Sequence, residues 1–210
     1  DMAISKGLVP AITKNAFTEK KVVDGVVKRI PIFNDEQARE LPKIYEEMGV
    51  SIPKKEGEDF SGWLARLKSD MTNFDEVDLK AKSIGLKGGD NLIDIFDRTH
   101  KFYAYGKKIA EAEGITINDI IENYVAHVYN IESPAGGLKG FIDDAISGIS
   151  GEGGAFGSAT SGAWKKPRPI PTIGEAEAII KKAGLGLKMN TSLTEGGMLW
   201  LSSIYQAAAK

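Results

Sequence analysis

The sequence predicts a mainly α protein: a single helical core domain with an N-terminal β-hairpin arm and an extended C-terminal arm tethered through Gly and Pro. Three observations predict it. Apolar residues recur at helical spacing from Asn34 to Ile149, a strand-like valine pattern occurs near the N-terminus, and Gly and Pro crowd into 150–171. The boundaries follow as 1–33 for the arm with its hairpin, 34–149 for the all-α core, 150–171 for the linker and 172–210 for the C-terminal helical arm. At 210 residues the chain is within reach of one hydrophobic core.

In the arm, Val22-Val23 and Val26-Val27 flank Asp24-Gly25. That pair suits a type I′ turn, in which both central residues take positive φ. An isolated two-stranded hairpin is marginal in water, so this one should lie on the body or on another copy. Asn34 can cap a helix carrying Ala38, Leu41, Tyr45 and Met48, closed by Gly49 and kinked or split by Pro42. Asp59 opens a second helix with Phe60, Trp63, Leu64, Leu67 and Met71 on one face. A shorter helix covers 75–84 and ends in the Gly85–Gly89 turn region.

The longest helix runs from Asn91 to Glu113, with Leu92, Ile95, Phe96, Phe102, Tyr103, Ile109 and Ala110 on its stripe and Gly114 ending it. Thr116-x-x-Asp119 resembles a capping box before Ile117, Ile120, Ile121, Tyr124, Val125 and Val128. A further helix follows Ser133-Pro134, with Leu138, Phe141, Ile142, Ala145, Ile146 and Ile149 in register. These three are expected to form the core. Beyond the linker, Thr172-x-x-Glu175 caps a short helix carrying Ala176, Ile179, Ile180 and Ala183, and Met198 to Tyr205 is a last amphipathic piece. No internal repeat occurs.

Composition removes much chemistry. With no Cys, disulfides, thiolate zinc sites, iron–sulfur clusters and cysteine nucleophiles are excluded, and His100 and His127 are the only imidazoles. No apolar run approaches the roughly 20 residues that cross a bilayer, and no signal peptide is visible from Asp1 onward. The net charge of −2 divides into +3 over 1–34, −9 over 35–164 and +4 over 165–210. Basic ends around an acidic middle suit arms that pair with a neighbouring subunit or with a nucleic-acid backbone, as well as ordinary variation in surface charge.

No motif supplies a catalytic constellation. Gly151-Glu-Gly-Gly-Ala-Phe-Gly157 lacks the preceding strand and the Gly-Lys-Ser/Thr of a phosphate loop, and reads as a linker. Asp143-Asp144 and Glu46-Glu47 point different ways around a helix and read as solvated faces. Neither histidine belongs to a metal or relay pattern, so no cofactor or metal is expected. Asn190-Thr-Ser192 is a formal glycosylation acceptor, meaningful only in a secreted protein. Lys165-Lys166-Pro-Arg168 beside Trp164 suits single-stranded nucleic acid, an arm on an acidic neighbour, or a solvated linker. Lys107-Lys108 and Lys181-Lys182 are further basic pairs.

In layout the chain resembles the coat proteins of flexuous filamentous viruses and other helical nucleocapsids. The resemblance rests on colinear short patterns: Met48-Gly-Val50, Trp63-Leu-Ala-Arg66, Arg98-Thr-His-Lys-Phe-Tyr-Ala104, Gly140-Phe-Ile-Asp-Asp144, Arg168-Pro-Ile-Pro-Thr172 with Glu175, and Thr194-Glu-Gly-Gly197. It implies an all-α body between two arms around RNA, with Arg98 in the RNA-binding region and Asp143 or Asp144 as a structural acidic partner. The family's aromatic-rich signature around that Asp is here reduced to Phe141.

The expectation is therefore a non-enzymatic structural subunit, a homo-oligomer forming a helical polymer in a virion, with RNA or DNA as a candidate partner. Arg98, Lys107, Lys108, Lys165, Lys166 and Arg168 are the candidate nucleic-acid contacts. Val22, Val23, Val26, Val27, Trp164, Met198, Leu199 and Trp200 are the candidate subunit contacts. A protein-only extracellular filament is one alternative, and a cytoplasmic address remains open. A small helical enzyme or ligand-binding domain, with a pocket lined by Tyr103, Tyr105, Tyr124 and His127, is a second. An adaptor whose hairpin pairs with a partner's sheet edge is a third.

Overall fold

The computed structural model describes residues 2–114, 128–130, 172–182, 188–190 and 192–208. Within them the protein is mainly helical, with a short N-terminal antiparallel hairpin packed at its base on the helices. The elements are α1 (Met2–Ala16), β1 (Thr18–Val23), β2 (Val26–Pro31), α2 (Asp35–Ser51), α3 (Phe60–Ser69), α4 (Met71–Ser83), α5 (Gly89–Ala112), β3 (Val128–Asn130), α6 (Ile173–Lys182), β4 (Lys188–Asn190) and α7 (Leu193–Ala208).

Local chemistry sets most helix starts. Asn34 and Gln37 form a reciprocal capping box at α2, each side chain bonding the other's backbone N–H at 2.8 and 2.9 Å. Asp59 caps α3 through the Gly62 N–H at 2.7 Å, and Thr172 Oγ1 caps α6 through the Glu175 N–H at 3.2 Å. Pro42 does not divide α2, which runs unbroken to Ser51 and past Gly49. Leu41, Pro42, Ile44, Tyr45 and Met48 are all buried there, and their packing holds the helix together across the missing N–H.

Asp70 changes the expected phase. It is extended, ends α3, and its carboxylate caps α4 through the Thr72 and Asn73 N–H groups at 3.0 and 3.3 Å. Met71 therefore opens α4 and lies in solvent rather than continuing the buried stripe of α3. The helix expected over 75–84 thus begins four residues earlier.

The central element is α5, against which α1, α3, α4 and α7 pack. Its buried face carries Leu92, Ile95, Phe96, Thr99, Phe102, Tyr103, Gly106 and Ala110. Gly114 ends this region with φ +70. Trp63 lies wholly buried near Phe96, with its indole N–H donating to the Ile52 carbonyl at 2.6 Å. The expected helices over 116–128 and 133–149 lie outside the described residues, except that Val128 sits in β3, paired antiparallel with β4.

Two segments assigned to arms are core elements. Residues 2–16 form α1, with Val9 and Thr13 buried and Ile12 and Ala16 packed beside them. This helix lies mainly on α7. At the other end, Ile173, Leu193, Trp200, Leu201 and Ile204 join the same core cluster. The hold on α6 is polar as well: buried Glu46 of α2 accepts the Ile173 N–H at 2.7 Å, and Lys43 pairs with Glu177 at 2.8 Å. A carboxylate at the first turn of α6 also suits its helix dipole.

Candidate assembly interface

The hairpin has a fixed base and an open end. Phe17 and Phe33, just outside its two strands, are buried with ring centroids 5.6 Å apart, and Phe17 lies the same distance from Phe102 of α5. The Ile32 N–H donates to the Phe17 carbonyl at 3.2 Å, extending the ladder below Thr18 and Pro31. Thr18 Oγ1 donates to the Lys14 carbonyl at 2.7 Å, and Arg29 donates to Thr18 Oγ1 at 3.2 Å. Above this base the chain turns through Asp24 and Gly25 at φ +53 and +75, the paired positive values of a type I′ turn.

The turn fixes the register, and the register fixes the chemistry of each face. Val23 opposes Val26, Val22 opposes Val27, Lys21 opposes Lys28, and Lys20 opposes Arg29. Because opposed residues project to the same side, one face carries Lys20, Val22, Val27 and Arg29, with Thr18 and Pro31 toward the base. No carboxylate lies on that face. On the other face Lys21 pairs with Glu19 at 2.6 Å, a bond that lowers the Glu19 carboxyl below its ordinary value.

Val22, Val26 and Val27 remain between 57% and 72% exposed, while Val23 is half-buried. Like charges directly opposed across a ladder destabilise a hairpin. This hairpin stacks two such pairs beneath an apolar tip that its own body leaves in water.

Several predicted contacts are used within the chain. Arg98 of α5 pairs with Asp94 at 2.7 Å and directs Nη1 toward the carbonyls of Ala16 and Thr18, both at 3.4 Å. It thereby ties the end of α1 and the start of β1 to α5. Lys107 pairs with Glu111 at 3.8 Å, and Lys108 is exposed on the same helix. Trp200 is buried against Phe102 and Tyr103, with ring centroids at 6.4 and 4.7 Å, and Met198 packs on the same core. Of the C-terminal candidates in α7, only Leu199 is exposed. Lys165, Lys166, Arg168, Trp164, Asp143 and Asp144 lie outside the described residues.

The short patterns behind the resemblance serve the fold where they are described. Met48, Trp63, Thr99, Phe102 and Tyr103 are buried. Arg66 grips Glu58 with two bonds of 2.9 and 2.7 Å and also donates to the Pro53 carbonyl at 2.8 Å. That grip, together with the Lys55 N–H, lowers the Glu58 carboxyl to about 2.

His100 stacks on Phe60 at 3.9 Å, and burial lowers its pKa. Of the four residues proposed to line a pocket, Tyr103 faces the core and Tyr105 is exposed, bonded to Tyr205, whereas Tyr124 and His127 lie outside the described residues. Among the described residues no three His, Asp or Glu side chains converge as a metal cage would require, and no helix is long and apolar enough to cross a membrane.

The hairpin cations Lys20, Lys21, Lys28 and Arg29, opposed in pairs, are not among the residues singled out from sequence. The signal was present: a two-residue turn at Asp24-Gly25 dictates which residues oppose one another. No family model, curated protein or solved structure matches the chain.

Proposed function

We propose that this chain is a structural, non-enzymatic subunit that assembles with copies of itself into a helical filament of the virion-coat or nucleocapsid type. The observation that carries the reading is the hairpin, whose anchored base holds up an open face of valines and cations. Contact between such an element and a different surface on the next copy propagates as an open helix when the rotation does not close a ring. The layout resemblance to flexuous filamentous coats supports the same reading.

Magnitudes decide how much the hairpin must do. Full burial of an exposed valine contributes about 1.5–3 kcal/mol, whereas association costs about 4–15 kcal/mol in lost freedom. Three valines together contribute at most about 4.5–9 kcal/mol, which that cost largely or wholly offsets. The cations and at least one further contact along the polymer must contribute.

Electron microscopy and sedimentation of the purified protein at rising concentration test the proposal. Filaments of defined helical repeat are expected, and a strictly monomeric particle throughout, with or without nucleic acid, overturns it. The same material tests for enclosed RNA or DNA. Nuclease-treated filaments that keep their helical parameters are protein-only, whereas assembly that fails without nucleic acid and weakens steeply with salt depends on phosphate contacts.

A further inference from the structure

We infer that the hairpin's partner is the outer face of α4 on a second copy of this chain, an inference that rests on the filament reading above. Met71, Asp75 and Leu79 follow one another at four-residue spacing on α4, so they share one side of the helix over about 12 Å. Met71 and Leu79 are 72% and 70% exposed. Next to them, Ser51 at the end of α2 bonds Glu76 at 3.0 Å, which brings the neighbouring Val50, 68% exposed, to the same region.

Charge separates this face from its surroundings. The α4 cations are engaged locally, Lys80 with Glu47 at 3.0 Å and Lys82 with Asp78 at 2.6 Å. Asp75 therefore lies between two bare apolar side chains as a carboxylate, with Glu76 held beside it by a neutral hydroxyl. The hairpin's open face presents the complement, two valines directly followed by Lys20 and Arg29 with no acid among them.

Seating one on the other buries apolar surface from both copies and supplies the carboxylates that the opposed cations lack. The two surfaces are different parts of the chain, so the contact runs head to tail. It also accounts for five exposed apolar residues of these two regions, Val22, Val27, Val50, Met71 and Leu79, with one interaction.

The absence of Cys makes the contact directly testable, because any disulfide must join introduced residues. Two preparations, one carrying Val27→Cys and the other Leu79→Cys, are mixed under mild oxidation. The hairpin-to-α4 dimer is expected to form about tenfold faster than either preparation links to itself, as proximity of the two positions requires. Equal linking in the separate preparations overturns the inference.

Charge reversal supplies a second readout that does not depend on cysteine. Lys20→Glu with Arg29→Glu, or Asp75→Lys with Glu76→Lys, should each raise the concentration needed for sedimenting filaments about tenfold or more, and combining all four in one chain should restore assembly. Filaments indifferent to these changes overturn this pair of surfaces and leave the filament reading standing, whereas a wild-type chain that neither sediments nor cross-links overturns both. Loss of nucleic-acid-dependent assembly from the hairpin variant alone, with the α4 variant unaffected, overturns the inference in favour of phosphate contacts. Should a reversal variant not fold, the cross-linking comparison decides by itself.

Discussion

The hairpin and α7 both carry apolar side chains that the sequence assigns to a neighbouring copy. The hairpin leaves its valines in water, while α7 sinks Trp200, Leu201 and Ile204 into the chain's own core. What separates them is shape rather than hydrophobicity. On α5, a Cβ at Gly106 would overlap the Trp200 indole, and on α7 a Cβ at Gly197 would come within 2.9 Å of Phe102. Each helix thus offers a glycine to the other's aromatic ring. Among the described residues the hairpin meets no such socket above its base.

Breaking the α7 seat should have the largest effect. Trp200→Ala removes the indole from between Phe102, Tyr103 and Gly106 and is expected to cost about 3–5 kcal/mol in chemical denaturation. A cost near zero would mean that α7 serves another copy after all. Gly106→Ala should cost about 1–3 kcal/mol by overpacking, and much of that penalty should vanish in the Trp200→Ala background. A double-mutant cycle reads this coupling directly.

The polar hold on α6 ranks next. Glu46→Ala strands the Ile173 N–H and should cost about 1–3 kcal/mol, measured by the same unfolding curves. The body also carries an acid-range effect. The Glu58 carboxyl is lowered to about 2 in the folded chain, from an ordinary 4.5. Its stabilising contribution is therefore complete above the ordinary value and is lost as pH falls from about 4.5 toward 2. Thermal unfolding of Glu58→Gln should show a shallower acid decline than the parent chain, and an unchanged slope would contradict this.

The smallest effect on the monomer belongs to the hairpin tip. Val22→Thr with Val27→Thr keeps β-branched side chains and should change unfolding stability by no more than about 0.5 kcal/mol, while weakening assembly. A large loss of monomer stability would show that the tip has a seat on its own body.

Much of the fold was legible because local chemistry wrote it. The Asp24-Gly25 turn, the caps at Asn34, Asp59 and Thr172, and the stripe of α5 all appear as read. The sequence signals α1 only weakly, because Gly7 and Pro10 interrupt it even though Val9, Ile12, Thr13 and Ala16 keep helical spacing. Helical spacing continues the α3 stripe to Met71, whereas Asp70 resets the phase and turns Met71 to solvent. An amphipathic stripe says that a segment needs a partner face without saying whose. The partner of α7 depends on glycines that meet aromatic rings only after folding. The hairpin's opposed cations could have been read from the turn, whereas the exposure of α4's outer face depends on the packing of the whole body.

The packing of α1 on α7 also governs the order in which the molecule can be completed. The first described helix emerges during synthesis long before the last, so its buried face, with Val9 and Thr13, must wait for residues 193–208. Contacts this distant in sequence are slow to close and leave apolar surface open meanwhile. A newly made chain would thus carry a half-covered α1 directly beneath the hairpin. Closure by α7 is the step that ends this exposure and completes the core.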